Sequence, residues 1–191
     1  MRHSPFTAVY DANVLYPAPL RDFLMRLALT GLYRARWTAQ IHQEWKRNLL
    51  INRPDLTAQQ LDRTSAIMDR AIPDALVTGY EPLCDSLDLP DADDRHVLAA
   101  AINCNASVIV TFNLKDFPTQ ILQPFEIEPM HPDDFIADLF DLDGAAVLEA
   151  AQTQRAALKK PPHTARELLD RLLKQGLTQS VKLLSQYERL I

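Results

Sequence analysis

Four carboxylates stand where a folding chain has least reason to place them. Asp11 ends the short β-prone run 7–10, and Asn13 follows two residues later. Glu44 lies in the segment 39–51, between the directions marked by Ile41 and Ile51 and beside Trp45 and Leu49, while His42, Gln43 and Lys46 are free to face water. Asp94 belongs to PDADDRHVLAAA (90–101), in which Asp91, Asp93 and Asp94 crowd the start of an apolar run. Asp116 is the sixth residue of TFNLKDF (111–117), which also holds Thr111 and Asn113. On a helix turning 100° per residue, Asp94, Leu98, Ala101 and Ile102 share one side, with Val97 beside them. Asp91 points the same way one turn back, and Asp93 points elsewhere.

Each acid alone has an ordinary explanation. Asp at a helix start caps orphan N–H groups or meets the helix dipole. Asp after a strand serves a turn, and Glu beside an apolar face is a boundary residue. Their coincidence is harder to explain. Carboxylates gathered at one place and left unneutralised suffer both desolvation and mutual repulsion. Cations relieve both costs. An all-oxygen set without Cys or paired His suits Mg²⁺ or Mn²⁺ rather than zinc.

The elements that must position these acids alternate. Strands are expected at 7–10, 75–78, 107–111 and 125–127. Helices are expected at 17–30, 39–51, 57–71 and 91–104, the first stopping near Gly31 and the next two capped by Thr38 and Thr57. Such alternation predicts an α/β fold with a parallel sheet flanked by helices. Sites in these sheets form outside the carboxyl ends of the strands. Asp11 then lies at one mouth, Asn113 and Asp116 at another. Beyond about residue 130 the pattern turns helical, with segments at 132–141, 143–158, 163–175 and 177–190 and a break at Pro161-Pro162. The expected organisation is a 1–130 domain and a 131–191 helical extension.

Charge divides the same way. The chain of 191 residues carries a net charge of −5. Residues 151–191 hold 8 Lys/Arg against 3 Asp/Glu, and residues 1–150 hold 12 against 22. The acidic part is no nucleic-acid binder by bulk charge, whereas the basic tail is able to touch RNA or an acidic partner. No apolar run approaches a membrane span. The start MRHSPFTAVYDANVLYP reads as a folded first strand, not a signal peptide. Cys84 and Cys104 match no zinc spacing, which favours a reduced cytoplasmic setting.

At these residues the chain resembles the PIN-domain ribonucleases, among them the toxins of VapC type, over roughly residues 6–130. VYDANVLYP is similar to the family's opening strand, which implies a metal ligand at Asp11 and an orienting role for Asn13. TAQIHQEWKRNL resembles the helix that bears the family's Glu, here Glu44. DADDRHVLAAAI resembles the start of the helix that carries the third acid, here Asp94. VIVTFNLKDFP resembles the closing strand with its Thr-x-(Asp/Asn)-x-x-Asp-Phe segment. Many relatives have Asp where this chain has Asn113, so the fourth position falls to Asp116 or to Asn113 acting through water, with Asp91 a further candidate. The resemblance implies metal-dependent hydrolysis of RNA phosphodiesters to a 5′-phosphate and a 3′-hydroxyl. Arg47, Arg53, Arg95 and Lys115 are candidates to meet the RNA backbone. It also implies a cognate antitoxin and allows a homodimer.

Rival readings remain. A catalytically inactive PIN scaffold would act as a binding module, and a housekeeping RNA-processing nuclease would share the chemistry without the antitoxin. A haloacid-dehalogenase type would want a second Asp two residues after Asp11, where this chain has Asn13. A receiver-type phosphoacceptor would want paired acids after the first strand.

Overall fold

The computed structural model describes residues 5–191, so the basic start at 1–4, read above with the first strand, lies outside the described residues. In chain order the elements are β1 (Phe6–Tyr10), α1 (Ala12–Leu15), α2 (Ala18–Leu29), β2 (Tyr33–Arg36), α3 (Ala39–Asn52), α4 (Ala58–Ala71), α5 (Glu81–Cys84), α6 (Arg95–Asn103), β3 (Val108–Val110), α7 (Thr119–Leu122), β4 (Glu128–Met130), α8 (Pro132–Ala157), α9 (Ala165–Leu173) and α10 (Thr178–Ser185). They form two compact units, one of residues 5–16 and Tyr33–His131, the other of Pro17–Leu32 and Pro132–Ile191.

The first unit is built on a four-stranded sheet of order β2-β1-β3-β4, parallel throughout. Its two central strands, β1 and β3, are nearly continuous apolar runs, as strands covered on both faces must be. Val9, Tyr10, Ile109 and Val110 are fully buried. The chain leaves β1 toward β2 on one side, and β3 lies on the other side, with Val9 opposite Ile109. This is the point in a parallel sheet where the two departing connections open a crevice. Helix α6 packs on β1 and β3. His96, Val97, Leu98, Ala99, Ala100 and Ala101 are all buried, so α6 is enclosed all round rather than along one stripe. Burial of Leu98 alone contributes about 1.5–3 kcal/mol.

The second unit is helical. Helix α8 is kinked at Asp143, whose backbone (φ −155°, ψ 86°) leaves the helical region. There the Asp143 carboxylate accepts from the Ala146 N–H at 3.1 Å and restarts the helix. Helix α2 packs on α8, where Gln154 Nε2 donates to the Pro19 carbonyl at 2.8 Å. Gly31 follows α2 at φ +78°, a left-handed conformation that ends helices and suits glycine. Helix α9 opens with a capping box between Thr164 and Glu167 and buries Leu168, Leu169 and Leu172.

Several expectations need correction. The strand expected at 75–78 is a single parallel bridge, Leu76 with Trp37. The strand expected at 125–127 lies instead at Glu128–Met130, because Gln123–Phe125 forms a 3-10 turn closed by Glu126 at φ 58°. Strand β2 was not expected at all. The segment 91–104 is not one helix: Asp91 caps a 3-10 turn, Ala92–Asp94, and the α-helix begins only at Arg95. Ile51, expected inside, is 72% exposed. His42, expected to face water, is buried. It accepts from Trp45 Nε1 at 3.0 Å through Nδ1 and sits 3.0 Å from Asp69 through Nε2. The extension's last two helices are shorter than expected, ending at Leu173 and Ser185, with a 3-10 turn at Glu188–Leu190.

Candidate active site

Asp11 follows β1 directly, and its N–H still donates to the Val110 carbonyl of β3 at 3.1 Å. The residue is 4% exposed. Its Oδ1 accepts from the Ala12 N–H at 2.6 Å, starting α1. Its Oδ2 accepts from Thr111 Oγ1 and from Asn13 Nδ2, both at 2.7 Å. Burial pushes the Asp11 carboxyl above its usual range against the pull of these hydrogen bonds, and the charge of Glu44 adds to the rise.

Asn13 joins the two loops. Its Nδ2 also donates to Thr111 Oγ1 at 3.0 Å, and its Oδ1 accepts from the Phe112 N–H at 3.1 Å. Thr111 is fully buried and accepts the Asn113 N–H at 3.0 Å. The loop after β1 and the loop after β3 are thus laced together under one carboxylate.

Glu44 comes from α3, whose N-terminus is fixed by Thr38 accepting from the Ile41 N–H at 3.0 Å. Its Oε1 lies 2.8 Å from His96 Nε2. That is ion-pair distance without hydrogen-bond alignment, and both ring nitrogens of His96 are buried without an aligned partner among the described residues.

Asp94 ends the turn capped by Asp91, whose Oδ1 accepts from the Asp93 N–H at 2.9 Å. Asp91 is itself exposed, so its side chain serves the turn, and Asp93 points to water as expected. The Asp94 carboxyl is pushed up to about 7, first by burial and then by the negative charges of Asp11, Asp91 and Asp116, with His96 opposing.

Asp11, Asn13, Glu44, Asp94 and Asn113 line one open cleft of about 370 Å³. Asp116 does not line it, although its charge is felt at Asp94. Of the four expected basic residues none lines the cleft. Arg53 forms a two-bond fork with Asp55 at 2.8 and 2.7 Å, and Arg95 lies 3.8 Å from Asp88.

Among the described residues, no three His, Cys, Asp or Glu side chains already stand together as a metal-holding group. The chemistry of the donors nevertheless fits a hard divalent cation. The lining ligands are oxygen atoms, two carboxyls are held above their ordinary pKa, and His96 beside them lacks an aligned partner.

Sequence reasoning missed His96, Tyr16, Asn48 and Asn52. The last three also line the cleft. The signal for His96 was a lone polar residue two positions after Asp94 in a run that is otherwise buried. For Asn48 and Asn52 it was their spacing of four and eight residues from Glu44.

Comparison with known proteins places the chain in a family. The VapC50 C-terminal domain family matches residues 132–186. A protein of Mycobacterium tuberculosis (strain ATCC 25618 / H37Rv) named "Putative ribonuclease VapC50" is 48% identical over 82 residues, which is 43% of this chain and 48% of that protein. The matched region therefore spans about half the length of that relative. No solved structure matches the chain. The PIN domain family matches residues 7–115, more than half of the chain, and the protein belongs to that family.

Proposed function

We propose that the protein is a divalent-metal-dependent endoribonuclease that hydrolyses RNA phosphodiester bonds, and that it is the toxin of a type II toxin–antitoxin pair. The observation that carries this reading is the meeting of Asp11, Glu44 and Asp94 around one cleft at the ends of the two central parallel strands. The PIN family match and the ribonuclease in the name of the Mycobacterium tuberculosis relative support it.

Asp11, Glu44 and Asp94 would hold Mg²⁺ or Mn²⁺, with Asp116 or Asn113 in the fourth position. A cation bound there supplies Lewis acidity, polarising a phosphoryl oxygen and lowering the pKa of a water. The remaining roles belong to the chain itself. Thr111 and Asn13 fix the rotamer of Asp11. His96 braces Glu44. Asp91 caps the turn that presents Asp94. Burial and the neighbouring carboxylates leave Asp94 partly protonated at neutral pH while the site is empty of cations, and a cation held there would favour its ionised form. No Ser or Cys lines the cleft; the family's chemistry implies water as the attacking oxygen and a 5′-phosphate and a 3′-hydroxyl as products.

The reading assigns the nuclease to residues 1–130, which hold every residue named for the site, and treats 131–191 as a helical extension. No helix among the described residues is long and apolar enough to cross a membrane. The proposed setting is the cytoplasm, with RNA as substrate and a cognate antitoxin as partner, and the reading allows a homodimer.

Cleavage of a structured RNA pool by purified protein tests the proposal, with Mg²⁺ or Mn²⁺ and with EDTA. Asp11→Asn and Asp94→Asn variants run alongside, each checked for folding. Metal-dependent cutting lost in both variants is expected. Equal cutting by the folded variants, or none by the wild type on any RNA, counts against it.

A further inference from the structure

The cleft carries a feature that the carboxylate chemistry does not use. Glu44, Asn48 and Asn52 recur every four residues along α3, and all three line the cleft together with Tyr16 and Asn113. At 1.5 Å per residue the two asparagines stand roughly 6 and 12 Å along the helix from Glu44. Asn52 Nδ2 donates to the Asn48 backbone carbonyl at 2.9 Å, and its Oδ1 has no protein partner among the described residues. The side chains of Asn48 and Asn113 make no hydrogen bond among the described residues.

Three considerations give this row a purpose. First, Asn favours helix interiors less than Lys, Gln or Glu does, and the one internal contact this pair returns is the bond from Asn52 to the Asn48 carbonyl at the end of α3. Second, no Lys or Arg lines the cleft, so its own wall offers no cation to hold a phosphate. Third, what the wall does offer is carboxamides and a partly buried aromatic ring. A carboxamide donates and accepts at once, which matches the edge of a nucleobase, and a phenol ring offers a face on which a base stacks.

We infer that Asn48, Asn52 and Tyr16 form a nucleobase-reading subsite that seats one unpaired base of single-stranded RNA beside the acidic centre. The inference rests on the nuclease reading and deepens it: the acidic centre cuts, and the α3 row selects where. The base must be unpaired, because only then are its edge and its face open together to a protein wall.

The test compares the wild-type chain with an Asn48→Ala/Asn52→Ala variant. Both are incubated with a random pool of short single-stranded RNA, Ca²⁺ replacing Mg²⁺ to hold off cutting, and the bound fraction is sequenced. The expected result is a base preference at one position of the wild-type profile that falls about tenfold or more in the variant. Mn²⁺ affinity, read by titration calorimetry, stays within twofold. The preference is also unchanged between low and moderate salt, since base contacts release no counterions. An equal preference in both proteins overturns the inference, as does an unselective wild type or a loss that varies with salt. Cutting in Mg²⁺ is scored separately. Selective binding without cutting sinks the nuclease reading and keeps the subsite, whereas cutting with one profile in both proteins sinks the subsite alone.

Discussion

His96 Nε2 stands 2.8 Å from Glu44 Oε1 and ties α6 to α3 beside the acidic cleft. Both partners are shielded, the His96 side chain 4% exposed and that of Glu44 21%. Glu44 is thus held by a residue outside the carboxylate set, in the way that groups behind a metal ligand orient it. His96→Ala would free the Glu44 carboxylate to turn toward water. The expected outcome is a loss of roughly 10–100-fold in Mn²⁺ affinity or cleavage rate with the fold retained. Titration calorimetry and circular dichroism check the two halves of that statement. Unchanged affinity in a folded variant would make His96 a packing residue only.

Asp94 makes stability in the absence of metal depend on pH. Its carboxyl titrates near 7 in the folded protein, against about 3.9 for an unperturbed Asp. The folded state therefore keeps a proton that the unfolded state has lost between roughly pH 4 and 7, and stability falls as pH rises through that window. Asp11, also raised, acts in the same direction. Asp94 is only half-buried, so after screening the effect is about 1 kcal/mol, or roughly 2–4 °C in Tm. Thermal melts in EDTA are expected to be higher at pH 5 than at pH 8. Asp94→Asn flattens most of the difference, and Mg²⁺ restores the wild type at pH 8.

Much of this arrangement is legible in the sequence because it depends on local signals. Asp11 and Asn13 follow an apolar run too short to be anything but a strand, and Asp94 stands just ahead of the apolar run 97–101 that becomes the buried α6. What escaped depends on the partners of a segment. Strand β2 reads YRAR, alternating Arg with apolar residues, and only its place at the sheet edge beside β1 makes it a strand. Strand β4 contains Pro129, which argues against a strand anywhere except at an edge, where it lies. Residues 75–78 have strand composition but only one bridge to Trp37. The burial of His42 follows from Trp37, Trp45 and Asp69 closing around it, which helical periodicity on α3 alone does not reveal.

Thr111→Val tests the lacing of the two loops. The substitution keeps shape but removes the hydroxyl that donates to Asp11 Oδ2 at 2.7 Å and accepts from Asn13 and Asn113. A buried carboxylate losing one donor and two N–H groups losing their acceptor cost about 1–3 kcal/mol together. Urea denaturation at pH 7 is expected to show a lower midpoint with an unchanged slope.

The second unit makes its own prediction. Asp133 is 5% exposed and caps α10, accepting from the Gln179 N–H and the Ser180 N–H at 2.8 Å each and from Ser180 Oγ at 2.7 Å. Asp133→Ala removes three charge-assisted acceptor contacts, and its expected cost is about 2 kcal/mol. Calorimetric melting reads the loss. Mn²⁺ affinity is expected to stay at the wild-type value, since every proposed ligand lies in the first unit.

Anomalous diffraction from a crystal soaked in Mn²⁺ tests the central claim most directly. The account predicts a peak within coordinating distance of the carboxylates of Asp11 and Asp94, absent from Asp11→Asn crystals soaked alike. A well-ordered crystal with no peak in the cleft, or with peaks only elsewhere on the surface, would contradict it.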